Sequence, residues 1–168
     1  MKLWSKFAFW FSWWFIIAAT GILFPAEGIN VYVKAIFTAL GVFMIIYGLT
    51  LNAIAGRTLK KYGHMEIKHK FRKPDKLVKV GIYSCMRHPA QFGSILFGLG
   101  IALLTASIYA ILLAGWYAFF AVYFILAIEE RETLNEFGDA YADFIRTRKP
   151  FSFSLRCLKI GIIALRDK

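Results

Sequence analysis

From Phe92 to Ile128 the chain runs for 37 residues without a charged side chain. As one helix this run is about 55 Å long at 1.5 Å per residue, nearly twice the roughly 30 Å hydrocarbon core of a bilayer. It is therefore read as a hairpin turning near Thr105-Ala106-Ser107, with arms at 89–106 and 108–128. Two earlier apolar runs, at about 7–24 and 31–55, are also long enough to span. The first is rich in Phe, follows Trp4 and carries Trp10, Trp13 and Trp14, and lacks a clear small-x-small cleavage site, so it reads as a retained helix rather than a signal peptide. The expected fold is an all-α integral membrane protein with four transmembrane helices, forming a single membrane domain over 1–168.

Charge then sets orientation. Lys and Arg (21) outnumber Asp and Glu (10), giving a formal charge of +11 on a chain that is 59% hydrophobic and 18% charged. Soluble domains are about 45–50% apolar and about 25% charged, so the basicity is not that of a soluble nucleic-acid binder, and the hydrophobicity excludes disorder. Arg57 to Arg87 holds ten bases against two acids, and the chain from Glu129 onward holds eight bases. The turn Pro25 to Asn30 carries only Glu27, and the hairpin tip carries no charge. Basic loops stay on the cytoplasmic side, which places the loop 56–88, the tail 129–168 and both termini there, in the cell (inner) membrane. Lys34 snorkels to the opposite interface. The bases attract anionic membrane lipids by about 1 kcal/mol each near the surface, and residues 151–168 read as a C-terminal interfacial helix.

His88 and Glu129 stand at the two ends of the hairpin and so return to the same membrane surface. Pro89 suits the first position of a helix, because its missing N–H is not needed there. The third span then starts at His88 with its positive end at the cytoplasmic rim, a place for a carboxylate or phosphate, and Arg87 adds a cationic fork. A lipid-headgroup anchor is the structural alternative for this tripeptide. Glu129 and Glu130 fall at the end of the fourth span, the unfavourable end for acids. Either Arg131 and loop bases pair with them, or they form a site for a cation. Opposite an anion-binding helix start they suit a zwitterionic ligand with an extra positive centre. Leu77 to Tyr83 alternates weakly, which suits an extended stretch with a turn at Gly81. His64 and His69 lack metal-ligand spacing, so no metal is expected. Cys85 and Cys157 read as small apolar residues, and Gly98-Leu99-Gly100, inside a span, as a helix-packing site.

Gly81-Ile82-Tyr83-Ser84-Cys85-Met86-Arg87-His88-Pro89-Ala90-Gln91-Phe92-Gly93 resembles the Gly-x-Tyr-x-x-x-Arg-His-Pro-x-Tyr-x-Gly segment of the membrane methyltransferases that include isoprenylcysteine carboxyl methyltransferase and phospholipid N-methyltransferases. Glu129-Glu130 with Leu134, Phe137-Gly138, Tyr141 and Phe144 resembles that family's ending. The resemblance implies the cofactor S-adenosyl-L-methionine, with Leu77, Val78, Tyr83, His88, Pro89, Ala90 and Gln91 along its pocket and Glu129 and Glu130 near its amino-acid or reacting end. Glu129 and Arg87 are the candidate catalytic residues. The implied acceptor is a hydrophobic or amphiphilic small molecule: a phospholipid amine, a thiol or a prenylcysteine-like carboxylate. Gln91 replaces the family's Tyr, Thr133 takes the expected place of Leu134, and Phe144 replaces the last Tyr. Ile125 stands where prenylcysteine enzymes commonly carry an Arg for the substrate carboxylate, which counts against that acceptor. Lys68, His69 or Asp75 in the basic loop are candidates to cover the cofactor. A membrane reductase using a nicotinamide dinucleotide and a non-enzymatic scaffold are the competing readings.

Overall fold

The computed structural model describes residues 3–64 and 75–166; Lys68 and His69 lie outside them. Among the described residues every regular element is helical. The order is α1 (Leu3–Leu23), α2 (Val31–Tyr62), a 3-10 turn (Gly81–Ser84), α3 (Pro89–Thr105), α4 (Ile108–Tyr123), a π turn (Phe124–Glu129), α5 (Glu130–Phe137), α6 (Asp139–Thr147) and α7 (Leu155–Arg166). The expected hairpin is present. α3 starts at Pro89, Ala106 turns the chain at φ 53°, and Ser107 caps α4, its Oγ accepting from the Ala110 N–H at 3.5 Å. Leu77 to Tyr83 forms no strand: Val80 is extended and Gly81, at φ 59°, opens the 3-10 turn.

Two helices are long and apolar enough to cross a membrane, Val31–Tyr62 with 32 residues and the continuous helix Ile108–Phe137 with 30. Phe7–Leu23 and Pro89–Thr105 are shorter apolar helices. Large side chains such as Phe15, Tyr32, Trp116 and Phe119 face outward. Outward apolar surface of this extent suits lipid rather than water.

The chain divides into two compact units. The first combines Met1–Leu49 with Gly93–Tyr123. In it, α2 and α3 touch backbone to backbone. A Cβ on Gly48 would stand 2.5 Å from the Gly93 carbonyl oxygen, and one on Gly41 would stand 2.8 Å from that of Gly100. Such side-chain-free crossings are how helices gain contact where lipid supplies no hydrophobic drive. α1 packs on α4. There the buried Tyr117 hydroxyl donates to the Ser94 carbonyl at 2.6 Å and accepts from the Trp14 indole at 3.1 Å, so an otherwise costly polar group is satisfied.

The second unit combines Thr50–Phe92 with Phe124–Lys168. α2 was expected to give way to loop at 56 but stays helical to Tyr62. Arg57, Lys60 and Lys61 are good helix formers, and no Gly or Pro follows until Gly63. Its last residues reach α7, where Lys61 Nζ and the Tyr62 hydroxyl both donate to the Ala164 carbonyl, at 3.0 and 2.8 Å. α7 packs on the 3-10 turn: a Cβ on Gly161 would meet Ile54 at 2.6 Å and Ile82 at 3.1 Å. Cys157 and Gly161 are buried while Leu155, Ile162 and Ile163 are exposed, an amphipathic helix with its inner face used.

Candidate functional site

The two motif segments meet inside the second unit. Arg87 directs Nε and Nη2 to Glu130 Oε1 at 2.9 and 2.6 Å, and His88 Nε2 lies 2.9 Å from the same oxygen. One turn on, Gln91 Nε2 donates to Glu129 Oε2 at 2.9 Å. His88 and Glu129 are buried, both 5% exposed. The expectation that Arg87-His88-Pro89 faces Glu129-Glu130 is thus what the hydrogen bonds display.

Two details of the expected site differ. The helix carrying the glutamates does not end at Ile128 but runs on to Phe137, where Gly138, at φ 53°, stops it. Glu129 and Glu130 are therefore interior to the helix, and the penalty for acids at its negative end does not arise. Nor are the backbone amides of Arg87 and His88 open to a ligand. They donate to the Lys149 and Pro150 carbonyls at 3.0 and 3.1 Å, beside the Met86–Lys149 bridge. Pro89 has no N–H, and α-helix geometry gives Ala90 and Gln91 no intrahelical acceptor, so these two are the first-turn donors.

The Arg87 guanidinium is also more committed than a free cationic fork. Its Nη1 donates to the Ile145 and Arg148 carbonyls, at 2.9 and 2.5 Å, at the end of α6. Four of its five N–H donors are thereby used within the protein. It clamps α3's start, Glu130 and α6 together.

A winding change aims the carboxylates. Tyr117, Ala121, Ile125 and Glu129 are buried and recur every fourth residue. In an α-helix each four-residue step over-rotates by about 40°, so three such steps would carry the face round by about 120°. The i→i+5 bonding of the π turn holds more residues per turn and takes up part of that drift, an arrangement frequent at functional sites. The Thr133 hydroxyl donates to the Glu129 carbonyl at 2.8 Å as α-winding resumes.

The buried Tyr83 lies close enough to Glu129 to be affected by it: burial first, then that negative charge, push its phenol well above the usual tyrosine value. Burial, then Glu130, do the same to Tyr141, which is 3% exposed. Both stay neutral donors at physiological pH. Leu77, Val78, Pro89 and Ala90 add apolar surface to this unit, Val78 and Pro89 buried and the other two partly exposed. The stretch that carries Leu77 and Val78 is pinned to α6 by Lys79 Nζ, which donates to the Ala140 carbonyl at 2.9 Å. Asp75 is exposed and sits 4.0 Å from His64, with its N–H on the Gly63 carbonyl at 3.0 Å.

Sequence reasoning did not find Tyr141 as a neighbour of the carboxylates, nor the carbonyls of Ile145, Arg148, Lys149 and Pro150. Tyr141 carried a signal, its place in the second motif. The carbonyls carried none, because every residue has one. Among the described residues no group of His, Cys, Asp and Glu is arranged to hold a metal. A cavity lined by Leu23, Phe24, Glu27, Ile108 and Tyr109 belongs to the other unit and contains none of the expected site residues.

Comparison with known proteins agrees with these motifs. No curated protein and no solved structure matches the chain. A family model described as phospholipid methyltransferase matches residues 36–140, a stretch that contains the first motif segment, the second as far as Gly138, and the cores of both long apolar helices. That match covers more than half of the chain, and the chain belongs to the phospholipid methyltransferase family.

Proposed function

We propose that this membrane protein transfers a methyl group from S-adenosylmethionine, at the cytoplasmic face, to a lipidic or small hydrophobic acceptor. The observation that carries this reading is the contact between Arg87-His88-Gln91 and Glu129-Glu130 within the segment matched by the methyltransferase family. In the membrane the chain would use all four apolar helices as spans, with both termini and the basic loop in the cytoplasm.

The residues present fit the cofactor's chemistry: a helix start with open amides lies across from a buried carboxylate. When bound, S-adenosylmethionine supplies a methyl group on a positively charged sulfur. The Ala90 and Gln91 amides, at the positive end of α3, suit its carboxylate. Glu129 suits a positive centre, and the Gln91 amide fixes its orientation. Tyr83 offers a neutral aromatic face. Arg87 and His88 act through Glu130, holding the second carboxylate in place, so Arg87 is a positioning residue. Methyl transfer is an in-line displacement, for which positioning and charge complementarity carry much of the rate. Glu129 is placed to take a proton when the nucleophile is an amine or thiol. Ile125, fully buried one turn before Glu129, brings no cation to a substrate carboxylate, which favours those two nucleophiles over a prenylcysteine carboxylate.

Calorimetric titration of the purified protein in detergent or nanodiscs tests this. S-adenosylmethionine should bind, and Glu129→Gln should weaken binding by roughly 10- to 100-fold, the effect of losing a hydrogen bond to a charged group. Unchanged affinity and activity in that variant would overturn the site assignment. Binding of a reduced nicotinamide dinucleotide with no response to S-adenosylmethionine would favour a reductase instead.

A further inference from the structure

The chain has two cysteines, Cys85 and Cys157, which lie 72 positions apart. The fold brings them together. Cys85 follows the 3-10 turn, two residues before Arg87, and Cys157 is in the first turn of α7. Cys157 is near enough to act on the Cys85 thiol. The elements carrying them approach without intervening side chains: Gly161 abuts Ile82, and a Cβ on Gly81 would stand 3.2 Å from that of Ala164. Close backbone approach is the geometric requirement for a disulfide. The two sulfurs also differ in access. Cys157 is buried, with its Sγ 3.8 Å from the Ser152 hydroxyl, whereas Cys85 is partly exposed. Arg156 sits near enough to favour the Cys85 thiolate.

We infer that Cys85 and Cys157 form an intramolecular disulfide when the protein meets a two-electron oxidant such as a peroxide, clipping α7 to the segment that carries Arg87 and His88. The exposed thiol reacts first. The Cys85 thiolate attacks hydrogen peroxide, the O–O bond breaks, and Cys85 becomes a sulfenic acid as hydroxide leaves. Cys157 then attacks that sulfur, the S–O bond breaks and water departs. Overall two thiols and one peroxide give one disulfide and two waters. Burial, and then the Cys157 thiol, push the Cys85 thiol up to about 11, so little thiolate exists at neutral pH and the pair stays reduced until oxidant accumulates.

The full chain in nanodiscs, treated with hydrogen peroxide and then denatured and alkylated with a maleimide, reads this out independently of any methyltransferase activity. The wild type should lose two hydrogen masses, take up no maleimide, remain a monomer on a non-reducing gel, and regain both labelling sites after dithiothreitol. Cys85→Ser and Cys157→Ser should each keep one alkylatable or over-oxidised sulfur and never show the loss of two hydrogens. Wild-type thiols that remain alkylatable, that stop at separate sulfinic acids, or that link two chains instead would overturn the inference. The same peroxide treatment of urea-unfolded protein should convert a smaller share of the oxidised sulfur to the intramolecular disulfide, with more over-oxidised or interchain product. An equal share would mean that the fold does not pair the sulfurs, and would overturn it too.

Discussion

Arg87 and Glu130 are held where water barely reaches, with side chains 7% and 12% exposed. Two charges taken out of water are tolerated only with excellent geometry, and removing one partner leaves the other buried and uncompensated. Arg87→Ala should therefore destabilise the protein by about 3–5 kcal/mol, measured by thermal or detergent unfolding. Arg87→Lys should fall between that variant and the wild type, since an ammonium cannot serve Glu130 and the Ile145 and Arg148 carbonyls in one plane. A loss of under about 1 kcal/mol in Arg87→Ala, the value of an exposed pair, would mean that the clamp is only a surface contact. Much of this pair was legible in the sequence, because a hairpin of two arms of similar length returns Arg87 and Glu130 to the same end. The carbonyls of Ile145 and Arg148 were not, since backbone acceptors have no residue signature and their arrival depends on how α6 folds back.

At the scale of elements, the hairpin, the Pro89 start and the turn at Thr105 to Ser107 follow from local rules and were expected. The extension of the long helix past Ile128 was not, because an apolar count stops at the first charges. Glu, Arg and Leu are good helix formers, however, and the stop signal is Gly138. The π turn was equally hidden: winding is set by which faces must be buried together, and Phe124 to Glu129 has no composition that marks it. α7 was read as a helix at the membrane surface, and its packing depends on two glycines whose role only the fold discloses. Gly161→Leu places a side chain into Ile54 and Ile82. Overpacking of this kind costs about 1–3 kcal/mol. Its effect should be local, so that limited proteolysis cuts residues 151–166 faster while the cleavage of α3 and α4 stays unchanged. Uniform acceleration over the whole chain would mean instead that α7 is part of one cooperative core.

For the whole molecule, the distribution of charge and of outward apolar side chains makes one demand. Outward-facing Phe11, Phe15, Val31, Ile36, Trp116 and Phe119 are distributed over α1, α2 and α4, so the apolar shell is spread along several helices rather than gathered in a single patch. The bases gather at 57–87 and after 129, whereas the turn at 25–30 holds one acid. If basic loops stay cytoplasmic, Glu27 faces outward and Asp75 inward. Both are exposed in the structure, so a probe can reach each from its own side. In a background with both native cysteines changed to Ser, Glu27→Cys should react with a membrane-impermeant maleimide in intact cells, and Asp75→Cys only after the membrane is opened. The reverse pattern would invert the topology and move the Arg87–Glu130 rim away from the cytoplasmic pool of a charged cofactor. Labelling of both in intact cells would mean that an even number of crossings separates them, so that α2, Val31–Tyr62, does not cross the membrane once. An odd number of crossings between 27 and 75 is what α2 alone supplies, so this one pair of substitutions tests the helix on which every other orientation depends.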